Sequence, residues 1–280
     1  MEPPDSTPRK PLAPEDAAPD GLAPTRPGGL AMKMTDVTIG SLKAPEHIVF
    51  DEVNWSVAVG DFWAIGGLHG CGKSDFIATA AGLLPPLQGT YEVFGHVLDR
   101  GFERDLLSTR LKLGLVFDGG QLLRHLTVAE NVALPLRYHK DLSEDEADLQ
   151  VGRLLDLTGL TRWADERASA LSRNWQQRVG LARALALKPE ALLLDTPLTG
   201  LDPRDEKWWL EFLSQLSEGH EAFGGRPMTL VVSCDDLRPW ANRADHLAVL
   251  RGRRFVPLPR EAAPVEADDV LLDLLDPSTP

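Results

Sequence analysis

The chain has 280 residues, 43% apolar and 25% charged, enough for one domain with a large core or one domain with an added lobe. A net charge of -13 and a pI near 5.0 argue against a nucleic-acid partner, leaving room only for a local basic patch. No uninterrupted apolar run approaches the roughly 20 residues that cross a bilayer, and two cysteines, Cys71 and Cys234, give no disulfide framework.

Met1 to Leu30 carries eight prolines and no apolar stretch of the signal-peptide kind, so residues 1–31 read as a disordered, Pro-rich arm of a cytoplasmic protein. Regular patterning starts at Met32, where MKMTDVTIG and HIVFDEVNWSVAVG alternate as strands do. The apolar run Phe62 to Ile65 reads as a buried strand, and KSDFIATAAGLL, Lys73 to Leu84, as a helix. TYEVFGHVL and LKLGLVFD are further strands, followed by a helical stretch from Thr127 to about Leu171. Within it, Ser143 and Glu146 stand at capping-box spacing. Leu192 to Leu194 and Thr229 to Ser233 are short strands separated by the helix DPRDEKWWLEFLSQL. Such alternation implies a layered α/β core with a mainly parallel sheet. Residues 257–280 form an acidic tail in which VLLDLLD reads either as a short amphipathic helix or as solvated chain.

Between the buried strand and its helix lies GLHGCGKSD: Gly67, Leu68, His69, Gly70, Cys71, Gly72, Lys73, Ser74 and Asp75. Its form, G-x-x-x-x-G-K-S, is that of a phosphate-binding loop. Glycines let successive backbone N–H groups point inward to bind phosphate oxygens, and the N-terminus of the following helix adds its dipole. Lys73 is placed to reach the β- and γ-phosphates, and the Ser74 hydroxyl to bind Mg²⁺. The motif alone is also met as a glycine-rich turn. LLLDTP, Leu192 to Pro197, is an apolar strand ending in a carboxylate, and in phosphate-loop ATPases such an Asp, here Asp195, holds the Mg²⁺ shell.

With TGLDP at Thr199 to Pro203 and LSRNWQQRVGLARAL at Leu171 to Leu185, these segments resemble, in order and spacing, the ATP-binding subunit of ABC transporters. The resemblance covers about Met32 to Val256. LTVAENVALPLRYH after the VFD strand is most similar to the ATPases of Mla/Mce-type lipid-transport systems. It implies an ABC-type phosphate-loop ATPase core over 32–256, with a helical subdomain at about 122–171 and an antiparallel β region near the N-terminus. It also implies ATP and Mg²⁺ as cofactors, a second ABC ATPase subunit completing a head-to-tail dimer, and a membrane permease. The permease would hold the chain on the cytoplasmic face of the inner membrane. Each ATP would lie between one subunit's phosphate loop and the other's signature helix, here Ser172, Arg173 and Asn174.

Against the family pattern, several positions differ. The Glu that polarises the attacking water is Thr196, and that general base contributes roughly 10²–10⁴ in rate. The switch histidine is Cys234, whose neutral thiol is a weak donor. The Gln at the end of LGLVF is Asp118, shorter but anionic, and still able to ligate Mg²⁺. Arg173 and Asn174 replace the two signature glycines, and no aromatic stands between Val37 and Ile48 to stack on adenine. Arg173 reads either as a finger toward a partner's γ-phosphate or as a partner for an acidic neighbour. Asp235 and Asp202 are candidate replacement bases. Cys71 and Cys234 read either as a redox pair across the site or as unrelated small residues, and Trp208–Trp209 as helix packing. The sequence therefore implies an ATP holder whose turnover is weak or absent; the alternative is an inactive regulatory or scaffold protein derived from such an ATPase.

Overall fold

A computed structural model of the protein describes residues 28–98, 104–140 and 142–259. The Pro-rich arm up to residue 27 and the VLLDLLD segment lie outside these. β1 (Leu30–Gly40) and β2 (Ile48–Ala58) pair antiparallel, with Met34 opposite Trp55 and Gly40 opposite Ile48. β3 (Phe62–Gly67) leads through the glycine loop into α1 (Lys73–Ala80), and β4 (Gln88–Val93) with β5 (His96–Val97) returns to β1. The antiparallel sheet order is β2-β1-β4-β5. α1 stops at Ala80, short of the expected Leu84, because Gly82 adopts φ +70 and the Gly82 and Leu83 N–H groups turn back onto Thr79 and Ala78.

α2 (Arg104–Arg110) precedes β6 (Leu113–Val116), and the lobe that follows contains α3 (Val128–His139) and α4 (Glu144–Leu157). α5 (Arg173–Leu185), β7 (Ala191–Leu194), α6 (Pro203–Glu218), β8 (Thr229–Cys234), β9 (His246–Arg251) and β10 (Arg254–Leu258) complete the order. The second sheet runs β10-β9-β3-β8-β7-β6, parallel except for the β9–β10 hairpin. The fold is thus the expected α/β core with an antiparallel N-terminal sheet. α2, β9 and β10 had no expectation in the sequence; β1 begins two residues before Met32 and β10 runs on to Leu258.

Strand alternation divides the interior into two cores. Phe62 and Ala64 of β3, Leu192 and Leu194 of β7 and Leu230 and Val232 of β8 face α5, α6 and the lobe. Trp63, Ile65, Leu193 and Val231 face the opposite way, toward α1 and the antiparallel sheet. The stretch expected to be helical from Thr127 to Leu171 is two α-helices and two 3₁₀ turns, Thr161–Trp163 and Ala168–Ala170. Both α-helices start at capping boxes: Thr127 with Glu130, and Ser143 with Glu146 as the spacing predicted.

Asn131, fully buried on α3, holds the approach to this lobe. Its Oδ1 accepts from the Leu123 N–H at 2.9 Å, and its Nδ2 donates to the Leu123 and Thr127 carbonyls at 3.1 and 2.9 Å. Asn131→Ala orphans the Leu123 N–H and removes one donor from the Leu123, Leu126 and Thr127 carbonyls, each of which keeps a backbone partner. A loss of about 1–3 kcal/mol is expected in urea unfolding.

Candidate functional site

Four parallel strands end side by side, and the polar groups gather at their carboxyl edge, where open α/β sheets bind ligands. β3 delivers the glycine loop, β8 delivers Cys234 and Asp235, β7 delivers Asp195 and Thr196, and β6 delivers Asp118. The sequence-expected residues of the loop and of the two aspartates are thus brought together.

The loop needs glycine at Gly67, Gly70 and Gly72, and Gly70 needs it for its φ of +80. Gly72 has φ +101, and a Cβ there would stand 2.3 Å from Val49 Cγ1; a Cβ on Gly67 would stand 2.5 Å from Cys71 Sγ. Gly72 is also the N-cap of α1 and offers no side chain to its first-turn N–H groups. A helix that begins without a capping acceptor presents those donors to an anion. Lys73 is buried at 6% exposure, with Nζ 2.8 Å from the Gly67 carbonyl, 2.8 Å from that of Leu68 and 2.9 Å from Asp235 Oδ1. Asp75 faces away from the loop and accepts from the Leu42 N–H at 2.6 Å, tying the β1–β2 turn to α1.

Beside Lys73, Ser74 Oγ donates to Asp195 Oδ2 at 2.5 Å, and Ser233 Oγ donates to Asp195 Oδ1 at 2.9 Å. Burial pushes the Asp195 carboxyl up, the Asp118 charge adds to this, and the two serines and Lys73 oppose it. A hydroxyl and a desolvated carboxylate in contact are a hard-oxygen pair suited to Mg²⁺. The donors and the cation therefore fit a nucleotide phosphate, and the oxygens fit its metal.

Thr196 adopts φ +46, a left-handed conformation that disfavours β-branched side chains. Its N–H donates to Ser233 Oγ at 3.0 Å and its carbonyl accepts from Gln177 Nε2 at 3.4 Å. Cys234 is 5% exposed, and its Sγ contacts the Ile65 carbonyl at 3.8 Å. Burial raises the thiol far above its ordinary pKa, so it stays neutral. Cys71 and Cys234 lie on opposite faces of the sheet, which excludes the redox pair. Cys234 is in register with Gly66, whose Cβ would point at Leu237, whereas Cys71 packs on the far side against Gly67.

The signature residues are engaged within the chain. Ser172 caps α5 without a side-chain hydrogen bond, Arg173 pairs with Asp118, and Asn174 Nδ2 donates to Asp205. Within this chain Arg173 is thus engaged by its acidic neighbour. Trp175 stacks on Arg162 and Arg178, and Arg178 lies 3.6 Å from the Trp208 ring and 2.9 Å from Asp205. Trp209 is fully buried, as helix packing requires. Asp202, one candidate base, caps α6 by accepting from the Arg204 and Asp205 N–H groups at 2.9 Å each. Ser233 and Asp205 carry no signal as partners in the sequence: Ser233 is not itself a motif position, although Cys234 beside it is, and Asp205 is one of the acids in the first turn of α6.

The family model for ABC transporters matches residues 50–199, 150 of the 280 residues. The methionine import ATP-binding protein MetN of Bifidobacterium longum is 34% identical over 206 residues, 74% of this chain and 50% of that protein. The intermembrane phospholipid transport system ATP-binding protein MlaF of Haemophilus influenzae is 29% identical over 216 residues, 77% of this chain and 80% of that one. The chain spans about half the length of the methionine import proteins it matches first. Among solved structures, the dimeric ATP-binding cassette MJ0796 in a post-hydrolysis state with ADP and Pi superposes with a TM-score of 0.71 at 28% identity. That match covers 81% of this chain and 99% of MJ0796. The protein belongs to the ABC transporter family and carries its ATP-binding domain.

Proposed function

We propose that this chain is the ATP-binding subunit of an ABC transporter that holds Mg-ATP firmly and turns it over slowly or not at all. The observation that carries this is the contact of Ser74 with Asp195 beside the buried ammonium of Lys73. On this reading the loop N–H groups and Lys73 bind the β- and γ-phosphates, and Ser74 and Asp195 orient the metal, with Asp118 within reach of it. Mg²⁺ supplies charge neutralisation of the phosphate oxygens. No helix among the described residues is long and apolar enough to cross a membrane. By its family membership, a permease resting on the 122–171 lobe and a second ATPase subunit are proposed as partners at the cytoplasmic face of the inner membrane.

Slow turnover is supported by what the flanking side chains offer. Thr196 carries no group able to take a proton from water at neutral pH, and the Cys234 thiol is neutral and turned onto the Ile65 carbonyl. Ser172, Arg173 and Asn174 stand where a partner's nucleotide would meet the signature, but Arg173 and Asn174 are held by this chain's own Asp118 and Asp205. A lipid-like cargo is supported by the MlaF relative, matched over 80% of its length. The methionine import proteins match as well, over about half of theirs, and make an amino acid the competing cargo. A second reading, a regulatory or scaffold protein that uses ATP only to dock, is favoured by the same Thr196 and Cys234.

Co-purification with bound partners, followed by Mg-ATP binding and turnover on that complex, separates these readings. Transport-coupled function fails if purified protein does not bind Mg-ATP at millimolar concentration, and the scaffold reading fails if turnover exceeds about 1 s⁻¹. Thr196→Glu with Cys234→His is expected to raise turnover by roughly 10²-fold or more. No gain would place the obstacle at the signature helix.

Asp195 supplies a stability counterpart. Its pKa is raised in the folded chain, so the unfolded chain holds the proton less tightly. The resulting stability cost is present at pH above the raised value and is relieved as pH falls through it. Asp195→Asn is expected to stabilise the nucleotide-free protein by about 1 kcal/mol at pH 7. The gap should close in acid, and the Mg²⁺-dependent part of ATP affinity should disappear. Calorimetric melts across pH, alongside ATP titrations with and without Mg²⁺, read both outcomes.

A further inference from the structure

An ammonium has three protons to donate, and in this structure all three of Lys73 are taken. Two go to the Gly67 and Leu68 carbonyls at 2.8 Å each, within the loop itself, and the third to Asp235 Oδ1 at 2.9 Å. A phosphate oxygen can reach Lys73 only by displacing one of these acceptors. The carbonyls belong to the strand end and loop that build the site. Asp235 is a side chain with 44% exposure, and it is the acceptor that can swing away. Its other oxygen, Oδ2, accepts from Thr199 Oγ1 at 3.1 Å. Thr199 lies in the segment between β7 and α6, and with Thr196, Cys234, Asp235 and Glu206 it lines a cavity of about 230 Å³.

We propose that Asp235 is a built-in competitor for the nucleotide's phosphates: it occupies Lys73 in the empty site, and phosphate binding expels it and releases Thr199. The proposal rests on the phosphate-binding role given to Lys73 above. Its consequence is a mechanical link between nucleotide arrival and the 196–201 segment that leads into α6. Partial burial pushes the Asp235 carboxyl upward. The hydrogen bond and charge of Lys73, with Thr199 and His69, outweigh this and hold it below the ordinary carboxylate range. The competitor is accordingly an anion at neutral pH, and it repels phosphate as well as occupying its partner.

The test is isothermal titration of the full chain and of Asp235→Asn with ATP, ADP and AMP. Replacing a charged acceptor by a neutral one weakens its hold on the ammonium, and ATP and ADP are expected to bind about tenfold more tightly. AMP, which carries no β-phosphate for Lys73, should be unchanged. Thr199→Val leaves the charge in place and frees Asp235 from its second anchor; a two- to threefold tightening, about 0.5 kcal/mol, is expected. Should Asp235→Asn fail to fold, Thr199→Val carries the test. If wild-type protein binds ATP and neither variant tightens it, or if AMP tightens equally, the competitor is overturned while the site stands. If neither wild type nor variant binds ATP, the phosphate-loop reading itself falls.

Discussion

Parallel register is the constraint on which the site depends. β3, β8, β7 and β6 are hydrogen-bonded so that Gly66 lies opposite Cys234, Val232 opposite Leu194, and Leu194 opposite Val116. One strand slipping by a single residue would exchange the two cores, moving Leu192 and Leu194 to the face now held by Leu193. Both faces are close-packed cores, so the slip would present each with side chains it is not shaped to take. The fixed register sets the strand ends side by side, and with the glycine loop it places Asp195 against Ser74 and Ser233, and Asp235 against Lys73. The polar groups are brought together by the packing of residues that never touch them.

At the signature helix, three consecutive side chains each find a partner inside the chain. Arg173 pairs with Asp118, Asn174 donates to Asp205, and Trp175 stacks against Arg178, whose guanidinium is itself held by Asp205 and Trp208. The Arg173–Asp118 pair is about half exposed and contributes about 0–1 kcal/mol. Arg178 is different. Burial lowers its pKa, with the Asp205 charge opposing this, so removing Asp205 would leave a desolvated cation. The contacts of α5 therefore differ in weight: a buried, charge-paired centre at Arg178 ties it to α6, and a weaker, solvent-screened pair at Arg173 ties it to the end of β6. A helix fixed in this way is directed toward its own core.

Much of this was legible in the sequence because it depended on local rules. The glycine loop between an apolar strand and a helix, the Ser143–Glu146 capping box and the strand ending at Asp195 are each contained in fewer than a dozen residues. What was not legible was set by register or by sheet faces. Nothing local says that Cys71 and Cys234 fall on opposite sides of the sheet, since that follows from the one-residue offset between Gly66 and Gly67. The β9–β10 hairpin has no signature of its own in the sequence, because β9, HLAVLR, is buried on both faces and shows no alternation. α1 is shorter than its composition predicts because Gly82 takes a left-handed φ that ends the helix, which composition alone does not show. The role of Ser233 exists only once β7 and β8 are neighbours.

Thr196 shows how the backbone of the site is separated from its side-chain chemistry. A β-branched residue at φ +46 costs roughly 1–2 kcal/mol, and a residue chosen for comfort at this position would be glycine or asparagine. The conformation persists because both of its peptide groups are held: the N–H by Ser233 and the carbonyl by Gln177. Ser233 also bonds Asp195, so relaxing Thr196 would disturb the carboxylate that meets Ser74. The strain at Thr196 is thus coupled to the placement of Asp195, and it is tolerated where it serves the oxygen pair.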